Sequence, residues 1–239
     1  MKVLVFLPTY NEKENIRRII ETINKLDFNK EILVVDDDSV DGTFEIINEM
    51  LNQHKNLTLI RRIGKKGRGL AGIVGLKYFI QSDNDIFVEL DADFSHHPKY
   101  IPKLLKYLQN YDVVIGSRMV VHGIEKGRKK VRSSLSLMAN LIIRILLGTK
   151  IKDCTSGYRA FKRDVLQKLD FDKFVSINPE IVEELLYGCI LQPNAKIMEI
   201  PIIYYERAGG KSKLNLKKLI KVLTAIIKIR LRGKIILKS

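Results

Sequence analysis

The chain has 239 residues, enough for one domain with a sizeable core. Hydrophobic residues at 46% and charged residues at 29% exclude a disordered chain, and no window approaches 18 uncharged apolar residues, so no membrane-spanning helix is expected. The net charge of +15 is concentrated at one end: residues 207–239 hold eleven Lys or Arg and no acidic residue, leaving about +4 on the rest, so the basic character belongs mainly to the tail.

Apolar runs alternate with amphipathic stretches through the first half. Strands are expected at residues 2–7, 31–35, 57–60, 85–90 and 113–115, and helices at 13–26, 43–54, 69–80 and 98–108. This β-α-β-α order predicts an α/β fold, with a mostly parallel sheet and helices on both faces. Residues 119–132, with Gly123, Gly127 and a basic run, read as a mobile loop. Residues 135–147 read as a strongly apolar helix, and 197–204, interrupted by Pro201, as an edge strand. In the tail, Leu216, Leu219, Ile220, Leu223, Ile226 and Ile227 fall on one helical face and Lys217, Lys221, Lys228 and Arg232 on the other. That pattern suits a helix lying in a membrane interface, or one docked on its own domain with solvated lysines.

Ligands of such sheets collect beyond the carboxyl ends of the strands. Three expected strands end there in polar clusters: Pro8-Thr9-Tyr10-Asn11-Glu12, Asp36-Asp37-Asp38-Ser39 and Asp91-Ala92-Asp93. Side-chain alternation along a strand would point Asp91 and Asp93 to one side. Two hard oxygen ligands so placed suit Mg²⁺ or Mn²⁺, an ion commonly shared with substrate phosphates. Asp37 suits a base or ribose partner, and Asp41 a helix cap before Thr43. Gly67-Arg68-Gly69 could bring backbone amides to a diphosphate. Cys154 and Cys189 match no metal spacing and are expected to be free thiols in a reducing compartment. The opening Met-Lys-Val-Leu-Val-Phe-Leu-Pro has too few apolar residues for a secretory signal.

Taken in order, these clusters resemble the family-2, GT-A-fold glycosyltransferases, and most closely the dolichol-phosphate mannose synthases. The resemblance continues through Ser95-His96-His97-Pro98, Gly116-Ser117-Arg118, Asp153-Cys154-Thr155-Ser156-Gly157-Tyr158-Arg159 and Arg207-Ala208-Gly209-Gly210-Lys211-Ser212-Lys213-Leu214. It implies a GT-A catalytic domain over residues 1–213, followed by a basic amphipathic membrane-interface tail over 214–239. By the same resemblance, Pro8, Tyr10, Glu12, Val35 and Asp37 would line the nucleotide. Asp91, Ala92, Asp93 and Arg118 would meet the sugar-diphosphate, with Asp91, Asp93 and Ser95 around the metal. Arg118, Arg132, Arg207 and Lys213 would hold the acceptor phosphate. Asp91, Asp93 and Arg118 would carry catalysis.

The implied reaction transfers mannose from GDP-mannose to a dolichyl or other polyprenyl monophosphate, inverting the anomeric centre and giving a lipid-linked mannose for glycan assembly. An acceptor that is already an anion needs no strong general base, so His96 and His97 are expected to shape the loop. The family pattern breaks at Phe174-Val175-Ser176-Ile177-Asn178-Pro179-Glu180, where these synthases carry a Gly-Tyr-x-Phe-Gln stretch before a helical glutamate. Glucose from UDP-glucose therefore stays an alternative, as does a non-lipid acceptor, and Glu180, Glu183 and Glu184 stay open as the matching carboxylate. The expected setting is cytoplasmic, peripheral on the cytosolic face of a membrane, and compatible with a small membrane-anchoring partner protein. No nucleic acid is expected, since the charge sits on the amphipathic tail and the chain has no Trp.

Overall fold

The computed structural model describes residues 1–206 and 216–238, with residues 216–222 as backbone only. The first strand, β1 (Val3–Thr9), sends Leu4 and Phe6 into one core and Val3, Val5 and Leu7 into another, all fully buried. A strand covered on both faces reads as a continuous apolar run, which is why its sequence does not alternate with polar residues. The helix that follows, α1 (Ile16–Asn24), buries Ile16, Ile19, Ile20 and Ile23, the spacing of one helical stripe. Three further units repeat the pattern: β2 (Lys30–Asp36) with α2 (Thr43–Leu51), β3 (Leu57–Arg61) with α3 (Arg68–Gln81), and β4 (Ile86–Glu89) with α4 (Ile101–Tyr107).

The second half begins with β5 (Val113–Ser117), β6 (Ile124–Lys126) and the long α5 (Lys130–Leu147). It continues with β7 (Arg159–Lys162), α6 (Arg163–Leu166), α7 (Ile181–Ile190), β8 (Ile197–Pro201), β9 (Ile203–Tyr205) and α8 (Leu216–Arg232). The main sheet runs β3-β2-β1-β4-β7-β5-β8, and only β7 is antiparallel to its neighbours. From β1 the chain builds outward to β2 on one side and to β4 on the other. The strand order therefore reverses beside β1, and the carboxyl ends of β1, β2 and β4 surround that switch point.

Four expectations need correction. Strand β4 stops at Glu89, so Asp91-Ala92-Asp93 lies in a turn beyond it, with Phe94 in the left-handed region at φ 60°. Strand alternation does not orient the two aspartates; the turn does. The stretch read as a mobile loop contains β6, which pairs with β9. The single edge strand expected at 197–204 divides at Ile202: β8 completes the main sheet, while β9 leaves it for β6. Helix α5 also begins five residues earlier than its apolar run, at Lys130.

No helix among the described residues is long and apolar enough to cross a membrane. Cys154 and Cys189 are free and buried. The described end of α8 docks on its own domain. Ile226 and Ile229 enter the core that contains Leu185 and Leu186 of α7, and Arg230 donates to the Tyr187 hydroxyl at 3.0 Å. Helix α5 keeps Leu137, Met138, Leu141 and Ile145 exposed, an apolar stripe on the outer surface.

Candidate active site

A cavity of about 490 Å³ opens at the switch point. Pro8, Tyr10 and Glu12 line it from the end of β1, Asp37 from the end of β2, and Asp91, Ala92 and Asp93 from the turn after β4. The fold thus gathers seven of the sequence-selected residues, from three chain segments, around one space. Val35 is not among them: its side chain is fully buried in the core.

The carboxylates around this space have distinct attachments. Asp36, fully buried, accepts from the Thr9 hydroxyl at 2.8 Å and from the Ser39 amide at 2.9 Å, so it ties β1 to the loop after β2. Asp37 pairs with Arg62 and accepts from the Gly67 amide at 2.7 Å. Asp41 accepts from the Thr43 amide at 3.0 Å and so caps α2 from beside its first turn, as expected. Asp93 accepts from the Ser95 amide at 3.0 Å, and Ser95 itself is buried.

Asp91 is held by two groups. Arg68 Nη2 donates to its Oδ1 at 3.2 Å, and His96 Nδ1 stands 3.3 Å from its Oδ2. Burial alone would push the Asp91 carboxyl up, but Arg68 and His96 outweigh it and hold the carboxyl well below the usual range. His96 packs between the rings of Tyr158 and Tyr204, and His97 Nδ1 accepts from the Lys99 amide at 3.1 Å. The histidines therefore shape the loop, and His96 also steadies Asp91.

Of the sequence-selected basic residues, Arg118 and Arg132 are not part of the cavity lining. Arg118 donates to the Thr155 hydroxyl at 2.8 Å, places its Nε 3.1 Å from Asp153 Oδ2, and stacks 4.9 Å over the Tyr204 ring. Arg132 pairs with Glu206. Arg207 and Lys213 lie outside the described residues.

Several residues of the cavity were quoted in motifs or left open in the sequence reading but given no role in the site. Thr155 and Gly157 line it from the loop before β7, and Pro179, Val182 and Glu183 from the start of α7. Arg68 enters from α3 and bonds Glu89 at 3.1 Å as well as Asp91. The glycines flanking Arg68 serve a different purpose from the diphosphate approach considered for them. The Gly69 amide donates to the Ile177 carbonyl at 2.8 Å, and a Cβ at Gly67 or Gly69 would stand 2.3 or 2.5 Å from a backbone oxygen of that loop. Glu183 had a legible signal, an acidic pair inside an otherwise apolar helical window. Every residue of 181–189 is buried.

Beneath the cavity, two guanidinium groups, Arg68 and Arg159, face three buried or half-buried carboxylates, Glu89, Asp91 and Glu183. Burial pushes the Glu183 carboxyl up to about 7 against the pull of Arg159. Below the ordinary value of 4.5 this group is neutral in both folded and unfolded chains. Above about 7 the folded protein must carry it charged. Stability should therefore fall by about 3 kcal/mol across that window relative to Glu183→Gln. Urea unfolding of both proteins from pH 4.5 to 8 checks this, and a pH-independent difference between them would refute it.

The donor set fits a hard divalent cation. Asp91 and Asp93 offer carboxylate oxygens at the cavity, the hard donors such a cation prefers. Among the described residues no group of three or more His, Cys, Asp or Glu side chains forms a metal cage.

Residues 4–170, which include the strands and most of the lining of this cavity, match Glycosyl transferase family 2. The chain belongs to that family and is a glycosyltransferase with the GT-A fold. It is 34% identical to the undecaprenyl-phosphate mannosyltransferase of Micrococcus luteus, over 90% of this chain and 88% of that protein. It is 36% identical to the dolichol-phosphate mannosyltransferase of Pyrococcus furiosus, over 96% of this chain and 64% of that protein. Among solved structures, it resembles the glucosyl-3-phosphoglycerate synthase of Mycobacterium tuberculosis in complex with Mn²⁺, UDP and phosphoglyceric acid. There the TM-score is 0.70 at 19% identity, over 96% of this chain and 78% of that one, a likeness of fold.

Proposed function

We propose that this glycosyltransferase moves mannose from GDP-mannose to a polyprenyl monophosphate, with inversion at the anomeric carbon. The observation that carries the reading is its 34% and 36% identity, over nearly the whole chain, to two mannosyltransferases named for lipid-phosphate acceptors. Pro8, Tyr10, Glu12 and Asp37 would hold the nucleotide at the ends of β1 and β2. Asp91 and Asp93, with Ser95 nearby, would hold Mg²⁺ or Mn²⁺, which when bound supplies charge stabilisation for the departing diphosphate.

The chain's own residues do the rest by alignment. Arg68 and His96 keep Asp91 ionised and oriented. The acceptor phosphate is an anion near neutral pH, so its oxygen can attack without a protein base. Arg118, Arg132, Arg207 and Lys213 would offset the repulsion between the two anionic substrates. Arg118 would act from beside the cavity, where it pairs with Asp153 and donates to Thr155, a residue of the cavity lining. The Arg132–Glu206 pair would exchange Glu206 for phosphate when the acceptor arrives.

The reading is tested by incubating the protein with Mg²⁺ or Mn²⁺, a polyprenyl phosphate, and GDP-mannose or UDP-glucose in parallel, following sugar into the lipid phase. Lipid-linked mannose is expected. Lipid-linked glucose would keep the mechanism and change the sugar, whereas transfer to neither lipid product would remove the lipid acceptor.

The membrane surface enters through α5. Its exposed Leu137, Leu141 and Ile145 form an apolar stripe beside Arg144, suited to insertion at the level of lipid headgroups on the cytosolic face. Exchanging Leu141 and Ile145 together for Asp should weaken binding to vesicles containing anionic lipid by tenfold or more, judged by co-sedimentation. Transfer to a short-chain, water-soluble polyprenyl phosphate should change less than threefold. Equal vesicle binding by variant and wild type would remove α5 from the membrane surface.

A further inference from the structure

The wall of the cavity built by α3 and α7 carries two charged side chains, Arg68 and Glu183. Arg68 directs Nη2 at Glu89 and Asp91, while its Nη1 is buried and has no hydrogen-bond partner. A guanidinium offers five N–H donors in a rigid fork, so one arm is engaged and the other is left for a ligand. Gly157 leaves room for this arrangement, since a Cβ there would stand 2.8 Å from Arg68 Nη2. Glu183, 5% exposed, reaches the same cavity from the first turn of α7, close enough to Arg68 for the two charges to stabilise each other. The second guanidinium below, Arg159, is spent on the carbonyls of Val182 and Cys154.

This wall is a poor seat for an anion. Arg68 is already paired with Glu89 at 3.1 Å and Asp91 at 3.2 Å, which leaves little positive charge for a phosphate or a carboxylated sugar. A neutral sugar ring fits better, because each hydroxyl both donates and accepts.

We propose that Arg68 and Glu183 are specificity-determining residues that bind the transferred hexose, Arg68 Nη1 donating to one ring hydroxyl and the Glu183 carboxyl engaging its neighbour. The proposal rests on the reading of this cavity as a nucleotide-sugar site and adds what that reading leaves open: which side chains read the sugar, and that the sugar is neutral. The resemblance that selected the nucleotide and metal residues left Glu183 open among three glutamates and did not select Arg68.

The test compares wild type, Glu183→Gln and Arg68→Met by titration calorimetry with GDP and with GDP-mannose in Mg²⁺, or with UDP and UDP-glucose if that donor supports turnover. In Glu183→Gln the free nucleotide should bind within threefold of wild type, whereas in Arg68→Met, which also frees the proposed metal ligand Asp91, it should weaken but less than the sugar nucleotide does. The sugar nucleotide should bind at least tenfold more weakly, and the turnover preference between mannose and glucose donors should narrow. Glu183→Gln is nearly isosteric, and the nucleotide affinity reports an intact fold. Variants that bind the sugar nucleotide as wild type does would overturn the proposal. So would variants that lose nucleotide and sugar nucleotide equally, since the pair would then be structural. Wild-type protein that turns over neither donor would instead bring down the nucleotide-sugar reading itself, and this inference with it.

Discussion

Asp93→Asn should lower kcat/KM for sugar transfer by about a thousandfold, the scale seen when one fixed charge-stabilising group is removed from a developing anion. The amide keeps the shape of the side chain and one oxygen for the Ser95 amide, now 3.0 Å from the carboxylate. The turn should therefore persist, and the melting temperature should stay within about 3 °C, the shift expected for roughly 1 kcal/mol in a chain of this size. What is lost is one negative charge at the cavity. Asp91→Asn should be as inactive but less stable, because Asp91 is also the partner of Arg68 and His96. Chelation of divalent metal should abolish wild-type activity, and added Mn²⁺ or Mg²⁺ should restore it. Activity within tenfold of wild type in Asp93→Asn, measured at saturating metal, would remove Asp93 from the diphosphate site.

The largest effect on stability is expected at Glu184. Its fully buried carboxylate accepts from the Val175 amide at 3.0 Å and the Ser176 amide at 2.9 Å. The next residue, Ile177, turns its carbonyl to the start of α3, where the Gly69 amide donates at 2.8 Å. Residues 174–178 are thus clamped between α7 and α3, and the clamp presents Pro179, Val182 and Glu183 to the cavity. Glu184→Ala strands two buried N–H groups and should cost roughly 3–5 kcal/mol, since each bond to a charged acceptor contributes about 1.5–3. Glu184→Gln keeps one acceptor oxygen and should cost less than half as much. Urea unfolding measures both, and a loss below 1 kcal/mol for the alanine variant would mean the loop is held by something else. Glu180, by contrast, is the residue before α7 and accepts from the Asn178 amide at 3.4 Å, a weak local contact.

Much of the site was legible because its residues lie at strand ends. A buried parallel strand announces itself by an apolar run, and the polar residues that follow must sit where the sheet opens. Pro8, Tyr10, Glu12, Asp37 and Asp91–Asp93 were found that way, and the cavity gathers them. Strand β7 was not legible. Its four residues, Arg-Ala-Phe-Lys, carry no periodicity, and its place between β4 and β5 is set by pairing with strands more than 40 residues away. The pattern of the tail helix suited lipid or its own domain equally, and the resemblance favoured a membrane interface. Its described end docks through Ile226 and Ile229, while the exposed apolar surface belongs to α5.

By itself, then, the sequence determined the alternating α/β order, the carboxylates at the strand ends and the family to which their spacing belongs, because each depends on residues close together in the chain. Only the tertiary structure decided which charges meet. Arg68 reaches Asp91 across 23 positions, Glu183 reaches the same wall from another 92 positions on, and Gly69 is a glycine for the sake of a carbonyl at Ile177. Those encounters follow from strand order and helix packing, which bring distant segments within bonding distance and leave no local periodicity by which to find them.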